Sequence, residues 1–172
     1  MTNTKNIRVG ILMGSDSDWP KIKAVAAALD EFDVGYEVNV MSAHRTPDLV
    51  FQYAQSAKER GLQVIIAAAG GAAHLAGVCA AHTILPVIGI PVPTELAGGL
   101  DSLLSTVQMP GDIPVATVGA GMGGPRNAGL PAVQILALSD PSLSDQFVQF
   151  KRGLVEKVRQ RNENLQKTMQ EK

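Results

Sequence analysis

Six consecutive apolar residues, Val64 to Ala69, run without alternation into Gly70-Gly71. A strand with one face in water alternates apolar and polar residues, whereas a strand covered on both faces does not. This run therefore reads as the central strand of a sheet with helices on both sides.

The rest of the chain supplies its companions. Ile7 to Met13 is a second buried strand that runs into Gly14-Ser15-Asp16-Ser17-Asp18. Trp19-Pro20 opens a helix, with proline in the first turn where its missing N–H costs nothing. Ile22, Val25, Ala26 and Leu29 share one face of that helix. Val34, Tyr36, Val38 and Val40 alternate with Gly35, Glu37 and Asn39, as in a strand with one more exposed face. Pro47 opens a helix whose apolar face is Leu49, Val50, Tyr53, Ala54 and Ala57. A small-residue helix follows over Ala73 to His82, then a fourth strand over Val87 to Ile90. Leu100 to Val107 is helical, Val115 to Val118 is a fifth strand, and Gly119 to Gly124 is a glycine-rich turn. Asn127 to Leu138 forms the next helix, with Pro131 near its start.

Five strands separated by helices predict a parallel sheet covered on both faces. The second strand alternates and the third does not, which predicts the order 2-1-3-4-5 with strand two at an edge. A long last helix is expected over residues 142–165, with Leu143, Phe147, Phe150, Leu154 and Val158 as its apolar stripe. The chain is expected to form a single α/β domain over 1–172, with its core over 7–140.

Composition narrows the function classes. Hydrophobic residues make up 45% and charged residues 18%, a globular balance, and the formal net charge is −1. With no long basic block, neither nucleic acid nor an anionic membrane is an expected partner. No apolar run approaches the roughly 18 residues of a membrane span. The opening MTNTKNIRVG enters a strand pattern at once, which leaves no room for a leader. The single cysteine, Cys79, sits in an apolar helical stretch and reads as core. A cytoplasmic setting is expected.

In a sheet of this order ligands bind outside the carboxyl ends of the strands, where strand order reverses. Three unusual segments fall there: GSDSDWP, SAHRTP and AGGAAHLAG. In the first, Ser15 and Ser17 precede a helix N-terminus that favours phosphate, and Asp18 suits ribose hydroxyls. The competing reading is that Ser17 or Asp18 caps the helix. In the second, Arg45 can hold a phosphate or carboxylate in its fork, and the His44 imidazole can exchange protons near neutrality. Ser42 adds a hydroxyl. A histidine at a strand end is often purely structural, and only the adjacent arginine and hydroxyls argue otherwise. In the third, Gly70 and Gly71 let backbone approach a ligand closely. His74 is either a second polar contact or a surface residue of the next helix. His82, at the far end of that helix, reads as structural. No histidine, cysteine and carboxylate spacing suggests a metal site.

The motifs G-S-D-S-D, S-A-H-R-T-P, A-G-G-A-A-H-L and Q-M-P with a following N-A-G-L, from Arg8 to Leu138, resemble those of the 5-(carboxyamino)imidazole ribonucleotide mutase (PurE) family. The resemblance implies a flavodoxin-like subunit in a homo-octamer, with sites between neighbouring subunits. It implies carboxylate transfer on an aminoimidazole ribonucleotide without metal or organic cofactor. Carried over by motif, His44 is the general acid/base. Ser15, Asp18 and Arg45 bind the ribonucleotide, with Ser17 and Ser42 alongside. Gly70, Gly71 and His74 form the loop over the imidazole. A sister class carboxylates with free carbon dioxide. It usually has lysine after the histidine and a more polar third loop, so Arg45 and AGGAAHL point to the mutase class. Ala76 departs from the proline common at its position, and Met122 to Arg126 is irregular. A competing class is a flavodoxin-like module binding a flavin or another phosphorylated ligand. A phosphoacceptor domain would want aspartate where strand three ends in alanine and glycine.

Overall fold

Strands β1 (Ile7–Met13), β2 (Gly35–Val40), β3 (Val64–Gly70), β4 (Val87–Val92) and β5 (Ala116–Thr117) form one parallel sheet in the order β2-β1-β3-β4-β5. This is the expected order and a flavodoxin-like arrangement. The structure is a computed structural model describing residues 6–170; residues 1–5, on which the leaderless-start expectation bears, and 171–172 lie outside the described residues.

The helices are α1 (Trp19–Ile22), α2 (Ala24–Asp30), α3 (Pro47–Ser56), α4 (Leu75–His82), α5 (Leu100–Val107), α6 (Gly124–Ala137) and α7 (Pro141–Gln170). Lys23 separates α1 from α2 with nearly helical angles (φ −53°, ψ −20°), so the expected single helix is only slightly kinked. On one face of the sheet, Val9, Ile11, Val64, Ile66 and Ile88 pack with Val25, Leu29, Ala128 and Val133 of α2 and α6. On the other, Leu12, Ile65 and Ala67 pack with Val50, Ala54, Leu75 and Cys79 of α3 and α4. Ile11, Ile66 and Ile88 lie in one row of the ladder, all fully buried. Burying each contributes about 1.5–3 kcal/mol. Cys79 is inert core, and burial pushes its thiol up to about 12.

Helices α2 and α6 approach closely at Gly129. A Cβ there would lie 2.8 Å from both the Ala28 Cβ and the Val25 carbonyl oxygen. Arg126, in the segment that looked irregular, donates to Glu31 at 2.6 Å and ties the same two helices. Arg8 donates to Asp140 at 2.8 Å, pinning the start of β1 to the α6–α7 junction. That hydrogen bond, with the Leu143 N–H behind it, holds the Asp140 carboxyl below its usual range.

Several expectations shift. Leu49 is 53% exposed while Val50, Ala54 and Ala57 are buried, because adjacent helical residues point about 100° apart and cannot share one narrow face. Burial falls along β2, leaving Val40 exposed. β4 continues through Pro91 because β5 pairs only with Ile88 and Gly89, so beyond them β4 is an edge that tolerates proline. β5 is correspondingly shorter than expected. α4 starts at Leu75 rather than Ala73, and α6 starts at Gly124 rather than Asn127, with Pro125 in its first turn. α7 runs to Gln170, beyond the expected 165. Its inward stripe ends with Phe147, stacked on Phe32, and Phe150, edge-on to the same ring, each at 5.5 Å. Leu154 and Val158, the last two residues of the expected apolar stripe, are exposed.

Candidate active site

The three carboxyl-end loops meet where the sheet order reverses, between β1 and β3. After β1, the Gly14 N–H donates to the Ala68 carbonyl at 3.3 Å, prolonging the ladder one step. The chain then winds into a short 3₁₀ turn at Asp16–Asp18. Ser15 caps that turn, its Oγ accepting from the Ser17 N–H at 3.3 Å. Asp18 stands at the N-cap position of α1 but makes no side-chain cap bond there, so the capping weighed for Ser17 or Asp18 is not made at α1; Ser15 caps only the turn before it.

After β2, a tight loop closes on itself. The Ser42 N–H donates to Thr46 Oγ1 at 2.9 Å, and Thr46 Oγ1 donates back to the Ser42 carbonyl at 3.1 Å. Ser42 Oγ accepts from the His44 and Arg45 N–H groups at 3.3 and 3.2 Å. Thr46 stays out of the helix (φ −137°, ψ 55°), as a residue before proline prefers, and Pro47 begins α3. These bonds fix the backbone that presents His44 and Arg45.

Arg45 Nη2 donates to the Gly14 carbonyl at 2.8 Å, tying the second loop to the first. His44 Nε2 and His74 Nδ1 lie 2.8 Å apart with the rings edge to face, tying the second loop to the third. One of these nitrogens must carry the hydrogen and the other the lone pair, so the two tautomers are coupled. Burial raises the Asp18 carboxyl above its usual value; the Lys21 cation and a Ser15 hydrogen bond oppose the rise, and Asp16 adds to it.

Ser15, Asp18, Ser42, His44, Arg45, Gly70 and His74 all border one cavity of about 470 Å³, whose lining also includes the apolar Ala69, Ala72 and Leu75. Ser17 and Gly71 do not border it. Ser17 stands behind Ser15, with the two hydroxyls 2.8 Å apart. Gly71, in the left-handed region at φ +67°, has its N–H donated to Ser102 Oγ at 2.9 Å, while its carbonyl accepts from Ser105 Oγ at 3.0 Å. A larger hollow of about 760 Å³ between α2 and α7 is lined by Glu31, Phe32, Asp145, Phe150 and polar neighbours. Its lining holds neither imidazole nor guanidinium.

Sequence reasoning missed the Gly14 carbonyl, because any residue type supplies one; Thr46, which stands inside SAHRTP but was given no role; and Ser102 and Ser105, whose hydroxyls lie in no recognisable loop motif. His82 ends α4 against the Phe51 ring at 4.8 Å, away from the cavity. Among the described residues, no group of three or more histidine, cysteine, aspartate or glutamate side chains is arranged to hold a metal ion. Among them too, no helix is long and apolar enough to cross a membrane.

A family model described as AIR carboxylase matches residues 8–157. The chain belongs to the AIR carboxylase family. It is 57% identical over 160 residues to the N5-carboxyaminoimidazole ribonucleotide mutase of Mycobacterium tuberculosis (strain ATCC 25618 / H37Rv), a match spanning 93% of this chain and 91% of the relative. It is 53% identical over 163 residues to the protein of that name from Bacillus subtilis (strain 168), spanning 95% and 94%. The crystal structure of Treponema denticola PurE is similar with a TM-score of 0.82 at 28% identity, covering 91% of this chain and 97% of that one. Family membership agrees with the resemblance in the three loop motifs, and the matched stretch contains every residue that borders the cavity.

Proposed function

We propose that this protein is an N5-carboxyaminoimidazole ribonucleotide mutase of purine biosynthesis. It is an isomerase that moves a carboxylate from the exocyclic amine to a ring carbon of an aminoimidazole ribonucleotide. One observation carries this reading: an arginine, a carboxylate and a hydrogen-bonded histidine pair converge on one cavity at the strand-order reversal. The names of the relatives at 57% and 53% identity support it.

In this reading the Arg45 fork and the Ser15 hydroxyl, backed by Ser17, take the phosphate, and Asp18 accepts hydrogen bonds from ribose hydroxyls. Ser42, Gly70 and His74 border the imidazole and its carboxylate, and Gly71 sets the turn behind them. His44 protonates the carbamate nitrogen as the C–N bond breaks; the bonding pair stays on nitrogen and carbon dioxide departs. The apolar lining residues Ala69, Ala72 and Leu75 hold the gas beside the ring. The ring carbon uses its π electrons to form the new C–C bond, and His44 removes the ring proton to restore aromaticity. The imidazole thus ends with the proton count it began with. General acid–base transfer of this kind is typically worth about 10²–10⁴-fold, and retaining the fragment adds proximity. The bond from His74 fixes the orientation of the His44 ring.

The same reading makes the chain a single α/β domain working as a cytoplasmic homo-octamer, with active sites at subunit boundaries. Uncovered apolar side chains support assembly: Leu96, Leu100, Leu104 and Val107 on and beside α5, and Val155, Val158, Leu165 and Met169 on α7, are each about half exposed or more. A monomer by light scattering would contradict it.

His44→Asn tests the proton role. Turnover should fall at least 10²-fold, while ribonucleotide binding stays within roughly tenfold because no anchor is lost. Retained turnover would refute the assignment.

A further inference from the structure

We propose that Ser102 and Ser105 of α5 are positioning residues that hold His74, and through it His44, in working geometry. This rests on the functional reading above, since it concerns the same site.

Gly71 is where the third loop leaves the sheet. It is the first residue after β3 and sits at φ +67°, a region open to glycine at little cost. That freedom is a liability, because the following residues, Ala72 to His74, carry a site side chain. Two hydroxyls remove it. Ser102 is fully buried; its Oγ accepts from the Gly71 N–H at 2.9 Å and donates to the Val92 carbonyl at 2.7 Å. Gly70 and Val92 are the last paired residues of β3 and β4, so the hydroxyl splices one further rung onto the ladder. Ser105, one helical turn on, donates to the Gly71 carbonyl at 3.0 Å, sharing its proton with the Asp101 carbonyl at 2.8 Å.

The N–H of Gly71 belongs to the peptide before its Cα and the carbonyl to the peptide after it. Two serines spaced i, i+3 on one helix face therefore pin both peptide planes that define this glycine's conformation. The helix is itself anchored, since Thr94 Oγ1, just past β4, donates to Asp101 at 2.7 Å in the first turn of α5. Neither serine borders the cavity. Both act through the turn, and the turn ends at the His74 ring, 2.8 Å from His44.

Without Ser105 Oγ the Gly71 carbonyl loses its partner and the glycine is free to rotate that peptide. We expect Ser105→Ala to lower kcat about tenfold, with KM changed less than about threefold, the scale of one lost hydrogen bond to a part-buried group. Ser105→Thr keeps the hydroxyl and should restore most of the rate. Ser102→Ala should behave like Ser105→Ala with a larger loss of melting temperature, because its oxygen is fully buried. The deciding experiment is a double-mutant cycle with His74→Asn. If Ser105 acts through His74, Ser105→Ala should cost little further rate in that background. Full additivity, or a fall in melting temperature at unchanged kcat, would overturn the proposal. Histidine ¹⁵N NMR adds a readout that needs no turnover. The signature of the His44–His74 bond should weaken in Ser105→Ala and return in Ser105→Thr; an unchanged signature would overturn the clamp. Lack of mutase activity in the unaltered protein would instead overturn only the functional reading.

Discussion

Replacing Arg45 by lysine keeps the charge and removes the fork, which makes it a sharp test of how the site holds an anion. One guanidinium N–H is already committed to the Gly14 carbonyl at 2.8 Å, while the residue borders the cavity. A guanidinium has five donors in one plane, so it can keep that tie and still present donors to a phosphate. A lysine ammonium offers its donors from one point and must give up one partner or bind both poorly. Losing one charge-assisted hydrogen bond costs about 1.5–3 kcal/mol. At about 1.4 kcal/mol per decade this is roughly 10- to 150-fold in affinity. Calorimetric titration with the ribonucleotide product should show that loss in Arg45→Lys, and a larger one in Arg45→Met. Saturating kcat should change far less, because the phosphate lies away from the reacting carbon. Product affinity of the unaltered protein should also weaken with added salt. Unchanged affinity in Arg45→Lys would refute the fork argument, and a kcat-only defect would move Arg45 from anchor to reacting group.

Two further outcomes follow from packing and charge. Asp18→Asn should stabilise the fold while weakening ribonucleotide binding. The folded carboxyl has its pKa raised by burial, so its contribution to stability is present at acid pH and is lost as pH rises above the ordinary carboxylate value. The variant's gain in melting temperature should therefore be larger at pH 7 than at pH 4, and a gain that shrinks with rising pH would contradict the assigned cause. Gly129→Ala should destabilise by about 1 kcal/mol, since overpacking of roughly 1–3 kcal/mol outweighs a helix-propensity gain of about 1. Gly153→Ala, in α7 with nothing within 4 Å of the added carbon, should stabilise. Equal signs in thermal melts would show that the close contact of α2 with α6 is not limiting.

The parts of the fold legible in the sequence were those where one-dimensional pattern and three-dimensional burial coincide. The Val64–Ala69 run is covered on both faces, and its lack of alternation says so. The exposure of Val40, Leu154 and Val158 was not legible, because apolarity marks a face without saying what covers it. That Ser15, Asp18, Ser42, His44, Arg45, Gly70 and His74 come together around one cavity was legible because strand-ending loops gather at a strand-order reversal. The bonds that hold them together were not. His44 meets His74 across 30 residues and Ser102 meets Gly71 across 31, separations that leave no trace in local periodicity. Serines inside a helix read as surface residues, and only the packing of α5 beside β3 and β4 gives these two a task.

The account stands most directly on whether carbon dioxide released in the cavity stays there. The carbamate substrate, labelled with ¹³C in its carboxyl group, would be converted in buffer containing excess unlabelled bicarbonate, and the product read by mass spectrometry. A trapping mutase forms product without lag and retains the label in its new carboxylate. Product that carries unlabelled carbon, or that forms only when free carbon dioxide is supplied, would contradict the account and identify the sister carboxylase.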